Sequence, residues 1–389
     1  MLQGFDVLYF SADDWGCGLT TSQTHIARIL AKNNRVLYIN SLGLRRPHVS
    51  SGDMGRIWSK MTKFFKGVRQ EAENIWVFTP VVLPFHDSQL VQKINSQLLL
   101  NYLRLHIKRL SMKSPIFWSF LPNAVHLVGK FNEQKVIYYC VDEYSQFDGV
   151  PREAIIKQEQ MIIGKANFVF ASAKTLYENK RKGNPNTFYI PHGVDVQHFT
   201  KALNPKLEVP DDIKNIPRPI IGFYGLIESW IDLKLIAFAA KKRPDWSFVM
   251  IGDRKTDTQI FSGLDNVYLL GKKNYDDLPA YNKAFDVALI PFVINELTRN
   301  VNPIKFKEYL AAGSPVVSTR LPEMEKYENL AYLVDDNEDF VNKIQLALND
   351  NGPLPLEERL KFIREESWES RLEYISQIIL NSGCQQLED

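Results

Sequence analysis

Cysteine is nearly missing from this chain. The 389 residues hold three, Cys17, Cys140 and Cys384, with no C-x-x-C spacing and no histidine cluster beside them. That excludes a disulfide framework and a cysteine-based zinc site, and it points to a reducing compartment. Long hydrophobic runs are missing too: no uncharged apolar stretch reaches the roughly 18 residues that would suggest a membrane-spanning helix. The opening residues, Met-Leu-Gln-Gly-Phe-Asp, lack the basic and apolar regions of a signal peptide. A cytoplasmic protein, soluble or peripherally bound to a membrane, is therefore expected. Low-complexity stretches are absent as well, and with 45% hydrophobic and 24% charged residues the composition is that of a chain that buries real cores.

What is present begins with length. At 389 residues the chain is two to three times the usual single domain, so two domains are expected. The net charge of +2 hides an asymmetry: residues 1–195 hold 24 Lys and Arg against 15 Asp and Glu, and residues 196–389 hold 23 against 30. A basic first half facing something anionic follows from this.

Apolar runs alternate with helix-period segments. In the first half the runs are Phe5–Phe10, Arg35–Ile39, Ile75–Thr79, Ile116–Ser119, Val136–Val141 and Phe168–Ala171, with helices near 20–32, 88–111, 152–163 and 173–181. This is a βαβ rhythm and predicts a mostly parallel sheet covered on both faces. Pro205, Pro210, Pro217 and Pro219 punctuate the chain, so a linker is placed at 201–218 between a first domain, 1–200, and a second, 219–355. The rhythm restarts there with strands at Ile220–Tyr224, Ser247–Ile251, Val267–Leu270, Val287–Pro291 and Val316–Ser318. A closing helical segment, 356–389, carries Trp368, Leu372, Ile375 and Ile379 as one apolar stripe and is expected to pack back across the domain junction. In open α/β sheets ligands bind beyond the carboxyl ends of strands, so the site is expected in a cleft between the two sandwiches.

After the first strand comes Asp13-Asp14-Trp15-Gly16-Cys17-Gly18. Gly-x-Gly before a helix is part of a dinucleotide fingerprint, but the third glycine is replaced by Thr21 and the ribose-binding acid by Asn40, so nicotinamide binding is disfavoured. A tight turn accounts for the glycines alone, yet leaves two carboxylates and a tryptophan beside a strand end. A ligand-facing loop accounts for all of them.

Two later segments are more specific. Pro191-His192-Gly193-Val194-Asp195 with Phe199 follows a strand, and Asn302-Pro303-Ile304-Lys305-Phe306-Lys307-Glu308 opens a helix that Gly313 ends before Pro315-Val316-Val317. Through these segments the chain resembles the GT-B glycosyltransferases, in particular the nucleotide-sugar-dependent family 4 type and its bacterial exopolysaccharide and teichuronic-acid relatives. The resemblance implies an α/β fold of two Rossmann-like αβα sandwiches facing across a cleft. It also implies a hexosyltransferase using a UDP-sugar, with Glu308 holding the nucleotide ribose. Physical chemistry supports that role: a carboxylate accepts from two hydroxyls at once, and the helix amino terminus with Lys305 offers positive charge to a diphosphate. An exposed Lys305–Glu308 surface pair is the plainer alternative.

The chain departs from the family in two places. Asn300 stands where a first Glu usually precedes the ribose Glu by eight residues, and Phe223-Tyr224-Gly225-Leu226-Ile227-Glu228 lacks the Arg and Lys that serve the diphosphate. Arg254, Lys272 and Lys273 could supply that charge from neighbouring loops. The donor-binding set is thus Gly16, Gly18, Gly225, Arg254, Lys272, Lys273, Asn302, Lys305 and Glu308. Retention and inversion both stay open. An inverting reaction needs a carboxylate base, for which Asp142 is the first candidate, followed by Asp14, Asp13 and Glu143, although Asp142 also suits a turn or cap. No metal or other cofactor is expected, since the second half has no Asp-x-Asp pair.

Two stretches interleave cations with apolar anchors: Ile57–Arg69, with Trp58, Lys60, Lys63, Phe64, Phe65 and Lys66, and Leu98–Lys113, with Arg104, Lys108 and Arg109. They suit the anionic inner face of the cell membrane, although ordinary amphipathic helices look similar. Nucleic acid is excluded as a partner for want of any reader motif. The expected partners are a nucleotide-sugar donor, a lipid-linked or glycan acceptor, and that membrane surface. Two rival functions are a nucleotide-sugar epimerase of the same fold and a non-catalytic nucleotide-sugar-binding subunit.

Overall fold

The computed structural model describes residues 1–16, 20–44, 67–80 and 89–381, with the backbone alone for 89–95. Gly18, Cys17, Cys384 and the basic segment 57–66 lie outside the described residues. The chain forms two compact units: Met1–Pro191 with Arg371–Asp389, and His192–Ser370.

The first unit is built on an eight-stranded sheet. Its strands are β1 (Asp6–Phe10), β2 (Arg35–Ile39), β3 (Arg69–Ala72), β4 (Ile75–Phe78), β5 (Ile116–Ser119), β6 (Lys135–Cys140), β7 (Phe168–Ala171) and β8 (Thr187–Tyr189), in the order β3-β4-β2-β1-β5-β6-β7-β8. All neighbours are parallel except the antiparallel pair β3 and β4. The central strands are buried along their whole length, as parallel strands covered on both faces must be. Their register is pinned at the amino edge, where Asp6 and Arg35 face each other across β1 and β2 and form a two-pronged ion pair of 2.7 and 2.9 Å. The Lys113 N–H donates to the same Asp6 carboxylate at 2.7 Å and so ties in the approach to β5.

The second unit holds six parallel strands: β9 (Ile220–Tyr224), β10 (Ser247–Ile251), β11 (Val267–Gly271), β12 (Val287–Ile290), β13 (Val316–Thr319) and β14 (Tyr332–Val334), ordered β11-β10-β9-β12-β13-β14. Two glycines shape its carboxyl edge. Gly225 and Gly252, each directly after a strand, have φ of 151° and 154°, and a Cβ on Gly252 would fall 1.7 Å from the Gly225 carbonyl oxygen. Contact that close is open to glycine alone, and it lets the loops after β9 and β10 run together, with the Ile227 N–H donating to Asp253 O at 3.0 Å.

Two expectations are corrected. Residues 201–218 are not a linker: Ala202 and Ile213 are buried in the core of the second unit, with one short helix, Thr200–Leu203, before the prolines and another, Asp211–Lys214, between Pro210 and Pro217. The prolines do break the chain, but the apolar anchors beside them bury it. The closing segment is not one helix but two, Leu356–Glu365 and Trp368–Asn381. Between them Glu366 and Ser367 run alongside Val194, whose N–H donates to Glu366 O at 3.0 Å. The last helix starts in the second unit and continues into the first, where Leu372, Ile375 and Ile379 are buried and the Leu2 N–H donates to Ser376 Oγ at 2.9 Å.

Replacing Gly252 with Ala should destabilise the second unit by about 2 kcal/mol or more, through backbone strain and overlap with Gly225. Urea denaturation followed by fluorescence is the measurement. An unchanged midpoint would show that the two loops can separate at no cost.

Candidate functional site

In the second unit the candidate groups gather around the helix Ile304–Ala311, which Pro303 precedes. Glu308 is 3% exposed, and Lys305 Nζ lies 3.1 Å from its Oε2. The two do pair at a spacing of three residues, but within the protein rather than on its surface, where such a pair would contribute little. The Lys305 ammonium also sits 5.4 Å above the Tyr224 ring, and its side chain passes 3.5 Å from where a Cβ on Gly225 would be. Gly225, Lys305 and Glu308 are therefore brought together.

The other expected donor residues are placed differently. Arg254 and Lys272 are exposed on the loops after β10 and β11. Lys273 is held by Asp212 at 2.6 Å, an acid that also accepts from the Tyr281 hydroxyl at 2.9 Å. Asn302 is buried and donates to Glu323 at 2.9 Å. Asn300, where the family's first Glu stands, donates its side-chain amide to the Glu296 carbonyl at 2.7 Å. Lys273, Asn302 and Asn300 thus carry bonds that fix their own loops.

The segment after Pro191 serves packing. A Cβ on Gly193 would fall 2.7 Å from the backbone of Trp368, Asp195 caps a short helix by accepting from the His198 N–H at 3.0 Å, and Phe199 stacks parallel to Tyr224. The buried Lys307 ammonium donates to His192 O and pairs with Glu366. Burial, and then the charges of Lys307 and Lys305, pull the His192 imidazole down to about 3, so it is neutral at any physiological pH.

In the first unit the loop after β1 is held by its neighbours. Ser11 Oγ accepts from the Tyr38 hydroxyl at 2.6 Å and from the Asp13 N–H at 3.0 Å, while Gln23 Oε1 accepts from the Ala12 N–H at 2.7 Å. Asn40, which stands where a dinucleotide fingerprint wants an acid, accepts from the Trp15 N–H at 2.8 Å. Its side chain is committed to the loop, which agrees with the reading against a nicotinamide fold. Gly16 makes the exposed turn at φ 71°, and Asp14 accepts from the Ser41 N–H at 3.2 Å.

Asp13 and Asp142 lie beyond the carboxyl ends of β1 and β6, strands separated by β5. Burial, and then the negative charge of Asp13, push the Asp142 carboxyl up to about 7. Burial raises Asp13 as well, opposed by a hydrogen bond from Thr21. Glu143 is turned elsewhere: Lys180 Nζ donates to it at 3.0 Å and to the buried Glu159 at 2.7 Å, and the Tyr138 hydroxyl donates to Glu159 at 2.8 Å. Asp142, pushed up to about 7 with the carboxylate of Asp13 acting on it, meets the condition of a general base.

Comparison with known proteins agrees with this architecture. The family described as "Glycosyl transferases group 1" matches residues 218–350. The putative teichuronic acid biosynthesis glycosyltransferase TuaH of Bacillus subtilis (strain 168) is 26% identical over 272 residues, 64% of this chain and 68% of that protein. Among solved structures, sucrose-phosphate synthase from Thermosynechococcus elongatus is similar with a TM-score of 0.69 at 14% identity, covering 98% of this chain and all of that one. Anabaena HepE in complex with UDP gives 0.63 at 13% identity, with 97% and 100% covered. The fold is GT-B, and the protein is an enzyme of the glycosyltransferase class.

Proposed function

We propose that the protein transfers a sugar from a UDP-sugar to a lipid-linked or polysaccharide acceptor in cell-surface glycan synthesis. The observation that carries the donor half is the buried Glu308 beside Lys305 in the first turns of a helix. A carboxylate there can take both ribose hydroxyls, while the free N–H groups of the helix start and the Lys305 ammonium meet the diphosphate. The teichuronic-acid relative and the UDP complex of HepE support the choice of donor and of acceptor class. The base is Asp142: it removes the proton of the acceptor hydroxyl as that oxygen bonds to the anomeric carbon and the nucleoside diphosphate leaves, the course of an inverting displacement. No divalent metal takes part, the leaving charge being met by the helix terminus and Lys305.

Replacing Glu308 with Ala removes charge-assisted hydrogen bonds worth roughly 1.5–3 kcal/mol, so UDP affinity should fall about tenfold or more. Calorimetry reads this directly. An unchanged dissociation constant in a folded variant removes Glu308 from the site.

Sugar transfer assayed with excess chelator should persist and should rise with pH through about 7, since a base works only once deprotonated and Asp142 loses its proton there. Asp142→Asn should lose that rising limb along with most of the turnover. Activity that requires added magnesium or manganese would overturn the metal-free reading, and an unaltered pH profile in the variant would overturn the assignment of the base.

The membrane surface is served by the helix Gln89–Arg109. Leu98 and Leu105, two turns apart, are 58% and 44% exposed, and Arg104, Lys108 and Arg109 are exposed near them. Apolar insertion flanked by cations suits anionic lipid. Co-sedimentation with vesicles should grow with anionic lipid content, weaken with salt, and drop in the variant Leu98→Ser with Leu105→Ser. Equal pelleting of variant and wild type would assign this helix face to something else.

A further inference from the structure

Two neighbouring side chains of the second unit bury polar atoms beside each other, the Tyr224 hydroxyl and the Glu308 carboxylate, and Glu308 acts on that hydroxyl through its charge and a hydrogen bond. Tyr224 ends β9 and is 1% exposed. Its ring is fixed on every side, stacked on Phe199 at 6.3 Å, edge-on to Tyr309 at 4.7 Å and under the Lys305 ammonium at 5.4 Å. Its backbone is fixed as well, the N–H donating to the Tyr309 hydroxyl at 3.0 Å. Phenylalanine would meet every one of these packing demands, and it would avoid the cost of taking a hydroxyl out of water. The hydroxyl therefore calls for a reason other than packing, and the group beside it is the carboxylate assigned to the donor.

We propose that Tyr224 is a positioning residue for the nucleotide ribose, its hydroxyl donating to Glu308 and aiming that carboxylate at the ribose diol. The inference rests on the reading of Glu308 as the ribose-binding group. Lys305, 3.1 Å from Glu308 Oε2, and the Tyr224 hydroxyl then restrain the carboxylate together. A carboxylate held from two directions presents its remaining lone pairs in one orientation, which two vicinal hydroxyls satisfy and a lone hydroxyl does not. Tyr224 thereby acts on selectivity for ribose over deoxyribose as well as on affinity.

The test compares UDP with 2′-deoxy-UDP by calorimetry on wild type, Tyr224→Phe and Glu308→Ala, with thermal unfolding to confirm that each variant is folded. Wild type should prefer UDP by about tenfold, on the scale of one charge-assisted hydrogen bond. Tyr224→Phe should weaken UDP by about three- to fivefold, leave 2′-deoxy-UDP nearly unchanged and so narrow the preference. Tyr224→Phe that binds both ligands as wild type does, or that weakens both equally, overturns the role of Tyr224 while leaving Glu308 in place if Glu308→Ala has lost affinity. Glu308→Ala binding UDP as wild type does, or wild type failing to bind UDP, overturns the donor reading itself.

Discussion

A parallel strand covered on both faces has no room along its length for groups that must meet a ligand. In both sheets the central strands are closed to water along their length, so polar function is displaced beyond the strand ends. The amino edge of the first sheet is spent on holding register, with Asp6, Arg35 and the Lys113 backbone bonded to one another. The carboxyl edges are where strain and partly satisfied polar groups collect: Asp13 and Asp142 in the first unit, and Gly225, Gly252, Tyr224 and Glu308 in the second. This division of labour follows from the one constraint, because a charge is tolerated inside such a layer only when it is fully paired, as Lys180 is with Glu143 and Glu159.

The same constraint decides how much could be read in advance. Strands buried on both sides must be continuous apolar runs, so β1, β2, β5, β7, β9 and β10 stand out in the sequence close to their true ends. Edge strands carry no such demand. The Arg-Gln-Glu-Ala of β3 is fully exposed, and β8 and β14 are three residues long, so none of them has a pattern to read. The long helix Asn337–Asp350, capped by Asp336, was equally silent, its apolar stripe diluted by acids and amides.

Within the candidate site, Glu308 and Lys305 were legible because a motif carries them, and Asp142 because it follows a strong strand. The partners of Lys273 and Asn302 were not, since Asp212 and Glu323 lie far from them in sequence and only folding brings them near. Tyr224 was hidden for a different reason: an aromatic at a strand end is indistinguishable from core until its hydroxyl is seen beside Glu308.

The return of the last helix makes each unit a different kind of object from a stretch of sequence. Residues 1–191 contain all eight strands of the first sheet but not Leu372, Ile375, Ile379 or the Ser376 hydroxyl that receives Leu2. Ribosomal synthesis therefore delivers that sheet complete in backbone yet without these side chains, and it stays so until the whole second unit has been made. The first unit's maturation is in this way timed by the last dozen residues of the helix, and a premature stop near the carboxyl terminus would strike the half of the protein that was synthesised first.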